Sequence, residues 1–281
     1  MAYCGPWIAI SKDKEATMFT IHNFTDNDDI RIVEEKGPFQ VLEYKRDLSV
    51  RREEAMEAYF ASQMNVRKRQ VYCDLSKGDV TIQPGAMQWM LGDVKATTGI
   101  KGAKDFFGKA VKGGLSGESA IKPEYTGTGR LCLEPTDVYI LLEDLTDWNG
   151  AIILKDGLFM ACDGKLEQKI VARTNVSSAF GGMGLFNLSL KGEGVVCLES
   201  PVPREELIVI DLVDDVLKID GNLALAWSNS LEFTVERSGK SLVGSAASGE
   251  GLVNAYRGTG RVIMAPVKDV RRQLQSDVKN D

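Results

Sequence analysis

Along most of the chain, apolar residues recur at spacings of two and four in short runs broken by Gly, Pro and Asp-Gly pairs. That period belongs to extended strands, whose alternate side chains share a face. Three runs share one design: YTGTGRLCLEP (Tyr125–Pro135), LKGEGVVCLES (Leu190–Ser200) and YRGTGRVIMAP (Tyr256–Pro266). They align on paired glycines, Gly127 and Gly129, Gly192 and Gly194, Gly258 and Gly260, at offsets of 65 and 66 residues. Leu131, Val196 and Val262 then coincide, as do Leu133, Leu198 and Met264. Upstream, Ile121, Phe186 and Leu252 coincide, followed by Tyr125, Leu190 and Tyr256. The shared spacing puts these residues on one strand face, directed at a core.

A turn accompanies each copy. Pro84-Gly85 suits a type II turn, and Asp156-Gly157 and Asp220-Gly221 are hairpin turns between β-rich runs. Further strand-like runs, QVYCDL, VYILLEDL and ELIVIDL, precede them. Units therefore fall near 67–136, 137–201 and 202–267. One such unit of about 65 residues buries little surface alone, whereas three in tandem share a core. Glycines inside a strand mark a bulge or a close backbone approach. A dinucleotide loop is excluded, because G-x-G-x-x-G must open a helix and these runs continue as strands.

Outside the repeat, residues 1–66 form an N-terminal extension. MFTIHNF and DIRIVEEKGPFQVLEYKRDL read as strands, with Lys36-Gly37-Pro38 as a turn. Ser49 is the expected cap of a helix over about 50–64, whose Met56, Tyr59, Phe60 and Met64 share a face. The extension is expected to pack against the repeats, with a partner-binding extension as the alternative. Lys45, Arg46, Arg51, Arg52, Arg67, Lys68 and Arg69 make the region basic, with Glu53, Glu54 and Glu57 among them, and a solvated face is expected. The first unit carries an insertion, GIKGAKDFFGKAVKGGLSGES. Its Ala103, Phe106, Phe107, Ala110 and Val111 follow helical spacing, with Lys101, Lys104 and Lys112 off that face. Such a segment covers an end of the core, or contacts an anionic membrane or a partner. In the tail, 268–281, Val270, Leu274 and Val278 continue a stripe from Val267, as a packed helix or a frayed end.

A net charge of −6 argues against a general nucleic-acid binder, which needs a basic footprint. No apolar run approaches the roughly 20 residues that span a bilayer, and the start is unlike a signal or transit peptide. Five cysteines without a C-x-x-C pair read as reduced thiols in a cytoplasmic protein.

The residues offer little catalytic chemistry. His22 is the only histidine, which excludes multi-histidine metal sites and leaves little for a Ser-His or Cys-His pair. Asp26, Asp28 and Asp29 lack the calcium-loop spacing and read as a polar turn. SGKS at Ser238–Ser241 lacks the required earlier glycine, where Thr234 stands, and GLSGE around Ser116 has the wrong spacing for a nucleophile elbow. Cys132 and Cys197 share a repeat position with Ile263, which points to packing. Arg130 and Arg261 share a position with Val195, and Glu134 and Glu199 are candidate partners at a seam between units. No catalytic residue, metal or cofactor is expected.

QPGAMQWM, GGLSGES followed by YTGTGRLCLEP, KGEGVVCLES and YRGTGRVIMAP together resemble the family named for altered inheritance of mitochondria, the mitochondrial-biogenesis proteins. The resemblance runs from about Arg69 to Pro266. It implies a mainly β fold of three tandem β-sandwich units like those of the tryptophan RNA-binding attenuation protein (TRAP-like). It also implies a homotrimer whose nine units close a ring, with no established enzymatic activity. The expected function is a non-enzymatic, ring-forming scaffold or binding platform. The alternatives are a peripheral membrane factor using Lys101, Lys104, Phe106, Phe107 and Lys112, and a small-ligand binder with a pocket between units.

Overall fold

A computed structural model of the chain describes residues 19–47, 49–98, 122–172, 186–237 and 252–267. These residues form antiparallel sheets and one α-helix. A hairpin of β1 (Ile30–Lys36) and β2 (Phe39–Tyr44) precedes α1 (Ala55–Gln63). Then come β3 (Arg69–Asp74), β4 (Val80–Ile82), β5 (Met87–Thr97) and β6 (Glu124–Leu133). Next are β7 (Tyr139–Asp144), β8 (Ala151–Leu154), β9 (Phe159–Asp163), β10 (Glu167–Ala172), β11 (Phe186–Lys191) and β12 (Val195–Ser200). The last four are β13 (Ile208–Asp220), β14 (Ala224–Ser228), β15 (Glu232–Arg237) and β16 (Leu252–Met264). A nine-stranded sheet runs β1-β2-β3-β6-β4-β9-β12-β7, with β5 on β6, and a seven-stranded sheet runs β10-β11-β8-β14-β16-β13, with β15 on β16.

The strand ladders recur in register. Asp74 faces Arg130 across β3 and β6, Asp144 faces Val195 across β7 and β12, and Asp211 faces Arg261 across β13 and β16. A ladder shift also recurs: it passes over Gln88 in β5, Met160 in β9 and Leu225 in β14. An extra residue at the same place in three strands bends each one alike. The connections between repeats are also alike. β4 pairs with β9 through Thr81 and Cys162, and β8 pairs with β14 through Ile153 and Trp227. Each sequence repeat thus lends a strand edge to the next one.

Side chains on the strand faces fill three main clusters. One gathers Phe39, Val71, Ile82, Leu131 and Leu142, a second Leu145, Trp148, Ile152, Leu190 and Leu198, and a third Trp227, Tyr256 and Val262. Trp227 stacks on Phe233 and meets Tyr256 edge-on, with centroids 5.6 and 5.3 Å away. Burial of this apolar surface supplies the main driving force for folding.

Two of the repeated glycines show why no side chain is present. A Cβ on Gly129 would lie 2.1 Å from the carbonyl oxygen of Leu91 on β5. Gly258 has no neighbour nearer than 3.7 Å but holds φ at +114°, a conformation that L side chains resist.

The N-terminal hairpin extends the first sheet, since β2 pairs with β3 and β1 lies outermost. β7 ends the same sheet at its far side, and side chains span the gap back to β1, so the sheet is nearly a closed barrel. Leu142 of β7 donates its N–H to the Glu34 carboxylate at 3.4 Å, and its carbonyl accepts from Lys36 Nζ and an Arg204 guanidinium N–H, each at 3.0 Å. An exposed strand edge is thus satisfied without a ladder.

Three sequence expectations for the extension are corrected. The described part of MFTIHNF is not a strand, although Ile21 and Phe24 pack on Leu42, Tyr72, Cys132 and Trp89. Ser49 does not cap the helix: its N–H and hydroxyl both donate to Asp47, and α1 begins at Ala55 without a side-chain cap. Nor is the predicted face of α1 covered: Met56, Tyr59, Phe60 and Met64 are exposed, and no residue of the helix is buried.

The two glycines separate two causes. Gly129→Ala is expected to cost about 3 kcal/mol in urea unfolding through overpacking. Gly258→Ala is expected to cost about 1 kcal/mol through its dihedral alone. Equal losses would show that steric room is not what distinguishes the two positions.

Candidate functional site

The residues around α1 and the start of β7 combine charge, an aromatic ring and a cleft. Glu43 on β2 is buried and gathers three arginines. Arg31 contacts it at 2.6 Å, Arg67 at 2.9 Å and Arg69 at 2.7 Å. Burial pushes the Glu43 carboxyl up, but hydrogen bonds from Arg31 and Arg67 and the charge of Arg69 outweigh it, so its pKa lies below the ordinary value. Arg69 is itself buried and its guanidinium sits 4.2 Å from the Tyr139 ring centroid. Asn65, at φ +61°, ends α1 and accepts from Arg69 through its carbonyl and its side-chain oxygen, at 3.2 and 3.1 Å. The Tyr139 hydroxyl donates to the same carbonyl at 3.3 Å. The ring is therefore fixed from below by a cation and at its tip by backbone.

A cleft of about 370 Å³ opens beside this ring. Val66, just past the helix, forms one wall with Tyr139, and Pro201, Val202 and Pro203 form the other. Asp137 and Glu206, both exposed, place carboxylates at its rim. Arg204 is turned away from it, bound to Glu143 at 2.9 Å and to Glu34 at 3.3 Å. Buried Glu143 also accepts from Trp148 Nε1 at 3.0 Å.

The basic residues of the extension are not one solvated patch. Arg46 pairs with Asp29, Lys68 with Asp47, and Arg67 and Arg69 with Glu43. Arg130 and Arg261 pair inside their own repeats with Asp74 and Asp211, because antiparallel register sets Asp and Arg opposite each other. The Arg261–Asp211 contact measures 2.7 Å. Cys73, Cys132, Cys162 and Cys197 are buried free thiols. Burial holds all four protonated, Cys132 being pushed up to about 12. Among the described residues no group of three or more His, Cys, Asp or Glu could hold a metal.

Lys101, Lys104, Phe106, Phe107 and Lys112 lie outside the described residues, as does the 268–281 tail. The repeat glycines Gly127 and Gly129 lie in β6, Gly192 and Gly194 in the connection between β11 and β12, and Gly258 and Gly260 in β16. The sequence reading did not find the cleft. A partial signal was present, since Pro135 and Pro266 share a repeat position with Ser200, and Pro201 and further cleft residues follow directly after it.

The fold and these sites define an antiparallel β-repeat protein with a short N-terminal β extension. The family described as Mitochondrial biogenesis AIM24 matches residues 62–267, and the chain belongs to it. The match leaves out β1, β2 and most of α1. No curated protein matches the chain. Among solved structures, it is similar to a crystal structure of a Streptococcus pyogenes protein, at 25% identity and a TM-score of 0.54, over 76% of this chain and 94% of that one. Among the described residues no helix is long and apolar enough to cross a membrane.

Removing the Glu43 charge leaves buried Arg69 without its carboxylate, so Glu43→Gln is expected to cost about 3 kcal/mol at pH 7. Glu43 has a lowered folded pKa, so its contribution is present above the ordinary carboxylate value and lost as pH falls through the folded one. The gap between wild type and variant should therefore shrink on acidification in urea titrations. A gap independent of pH would contradict this account.

Proposed function

We propose that this protein is a non-enzymatic binding platform built from three TRAP-like units, which associates head to tail into a homotrimeric ring. The observation that supports this is the seam used twice within the chain, β4 with β9 and β8 with β14. Its two halves recur at the chain's ends. Val216–Asp220 of β13 precedes Gly221 as β4 and β8 precede Gly85 and Gly157. The start of β5 carries the ladder shift of β9 and β14. Among the described residues, β13 pairs only with β16 and β5 only with β6.

Pairing β13 of one copy with β5 of the next continues the seam with the same geometry. Such a contact is heterologous, and its rotation closes a ring or runs into a filament. Long strand edges with exposed apolar residues are otherwise an aggregation hazard. Val213 and Val216 on β13 and Met90 on β5 are exposed, and the seam would cover this surface. Three copies and nine units are what the family resemblance implies. Protonated buried thiols and a single histidine, His22, favour binding over catalysis.

Native mass spectrometry is expected to show a trimer. Met90→Arg or Val216→Arg should weaken association by on the order of a hundredfold while leaving the monomer folded. A wild-type protein that stays monomeric at micromolar concentration would overturn the ring.

A further inference from the structure

A row of three residues crosses each repeat on strands that pair side by side. In the first repeat, Cys132 of β6 lies opposite Tyr72 of β3 and Trp89 of β5. In the second, Cys197 of β12 lies opposite Leu142 of β7 and Ala161 of β9. In the third, Ile263 of β16 lies opposite Val209 of β13 and Ala226 of β14. Neighbours along a strand point to opposite faces, so each row points away from the core of its own repeat. The second row is buried instead in the core of the first repeat, with Val71, Ile82 and Leu131. Ile263 and Ala226 of the third row are buried in the core of the second, with Trp148, Ile152 and Leu190. The seams of β4 with β9 and β8 with β14 accompany these two transfers. The series breaks at its ends: among the described residues, the third core, around Trp227, Tyr256 and Val262, receives no such row, and the first row enters no other repeat's core.

The N-terminal extension covers the first row. Ile21, Phe24 and Ile30 pack on the cluster of Leu42, Tyr72, Cys132 and Trp89. Phe24 meets Tyr72 and Trp89 edge-on, with centroids 5.3 and 5.5 Å away. Phe19 lies alongside, since a Cβ on Gly92 of β5 would sit 3.3 Å from its ring. This cover is lightly held. Ile21, Phe24 and Trp89 are each half-buried. Among the described residues, the backbone bonds of 19–24 are local: the Phe24 N–H donates to Asp26 at 2.9 Å, and its carbonyl accepts from the Asn27 N–H at 3.3 Å. A segment held by side chains without a ladder opens at lower free energy than a core strand. The chain is tied to the sheet from Asp29 onward, where its carbonyl accepts from the Lys45 N–H at 2.7 Å.

We propose that Tyr72, Cys132 and Trp89 form an assembly surface whose occupant is the third core of a second copy, and that residues 19–24 are a strap that this core displaces. The proposal rests on the ring reading and adds its regulation. Pairing β13 of one copy with β5 of the next brings the first row to the third core, as the two seams within the chain bring the other rows to theirs. The row that lacks a core and the core that lacks a row thus complete each other. Strap and partner core compete for one surface, so the strap lowers the apparent affinity between copies by the fraction of chains in which the row is open. Tyr72 and Trp89, standing where the second repeat has Leu142 and Ala161, make this row an aromatic surface that is costly to leave bare. The strap precedes the family region, which begins at residue 62.

The test follows the full-length protein through a dilution series by native mass spectrometry. Phe24→Ala and, separately, Ile21→Ser should each move the midpoint of association to a protein concentration lower by about tenfold, with urea unfolding showing that both variants remain folded. Adding Met90→Arg should abolish that gain, which separates assembly through β5 from non-specific association. Chymotrypsin should cut within residues 19–24 of the wild type faster when the protein is assembled than when it is dilute. A wild type that associates while both variants associate equally or more weakly, or whose strap is cut more slowly on assembly, would overturn the strap and leave the ring standing. Failure of the wild type and both variants alike to associate would overturn both.

Discussion

A β-strand has two hydrogen-bonding edges, and every interior strand of this protein must satisfy both. The chain meets that demand by lending strands between repeats: β4 receives β9 at Thr81 and Cys162, and β8 receives β14 at Ile153 and Trp227. The same bulge opposite Cys197 and Leu198 in one repeat, and opposite Ile263 and Met264 in another, bends the lent strand alike each time. Successive repeats therefore share a ladder as well as a core, and one repeat alone would leave an edge open. The paired glycines serve the same end where they let β5 approach β6, since a Cβ on Gly127 would sit 2.2 Å from the Asp93 carbonyl.

Ladder closure runs out at β1 and β7, and charge takes over there. Lys36, Glu34 and Arg204 satisfy the backbone of Leu142, and Arg204 binds Glu143 beneath it. On the hairpin's other side, Glu43 ties β1, β2 and β3 together through Arg31, Arg67 and Arg69. Buried ions are costly unless fully paired, so these clusters set where the extension docks more than they add net stability. Arg69, held by Glu43, also packs its guanidinium on the Tyr139 ring that lines the cleft.

The sheet and its charged clasps hold the residues around the cleft in place, whereas no residue of α1 is buried. The Mitochondrial biogenesis AIM24 match spans β3 to β16 but stops short of most of that helix.

The strand period, the Gly-x-Gly copies and the three turns were legible because each is a local demand: alternation places a face, and Gly85, Gly157 and Gly221 all hold φ near +75 to +80°. Pairing was not legible. Arg130 and Arg261 had nearby glutamates in sequence, yet register set them opposite Asp74 and Asp211, residues contributed by other strands. The cleft was hidden for a similar reason, since Val66, Tyr139 and Pro201 come from three separate stretches that only strand order brings together. The helical period of Met56, Tyr59, Phe60 and Met64 was correctly read, but a sequence states which residues share a face and not what lies opposite it. By itself the sequence determined the repeat, its glycines and its turns, through local backbone chemistry. Tertiary structure alone decided the ion pairs, the closure and the uncovered face, because those depend on contacts between residues far apart along the chain.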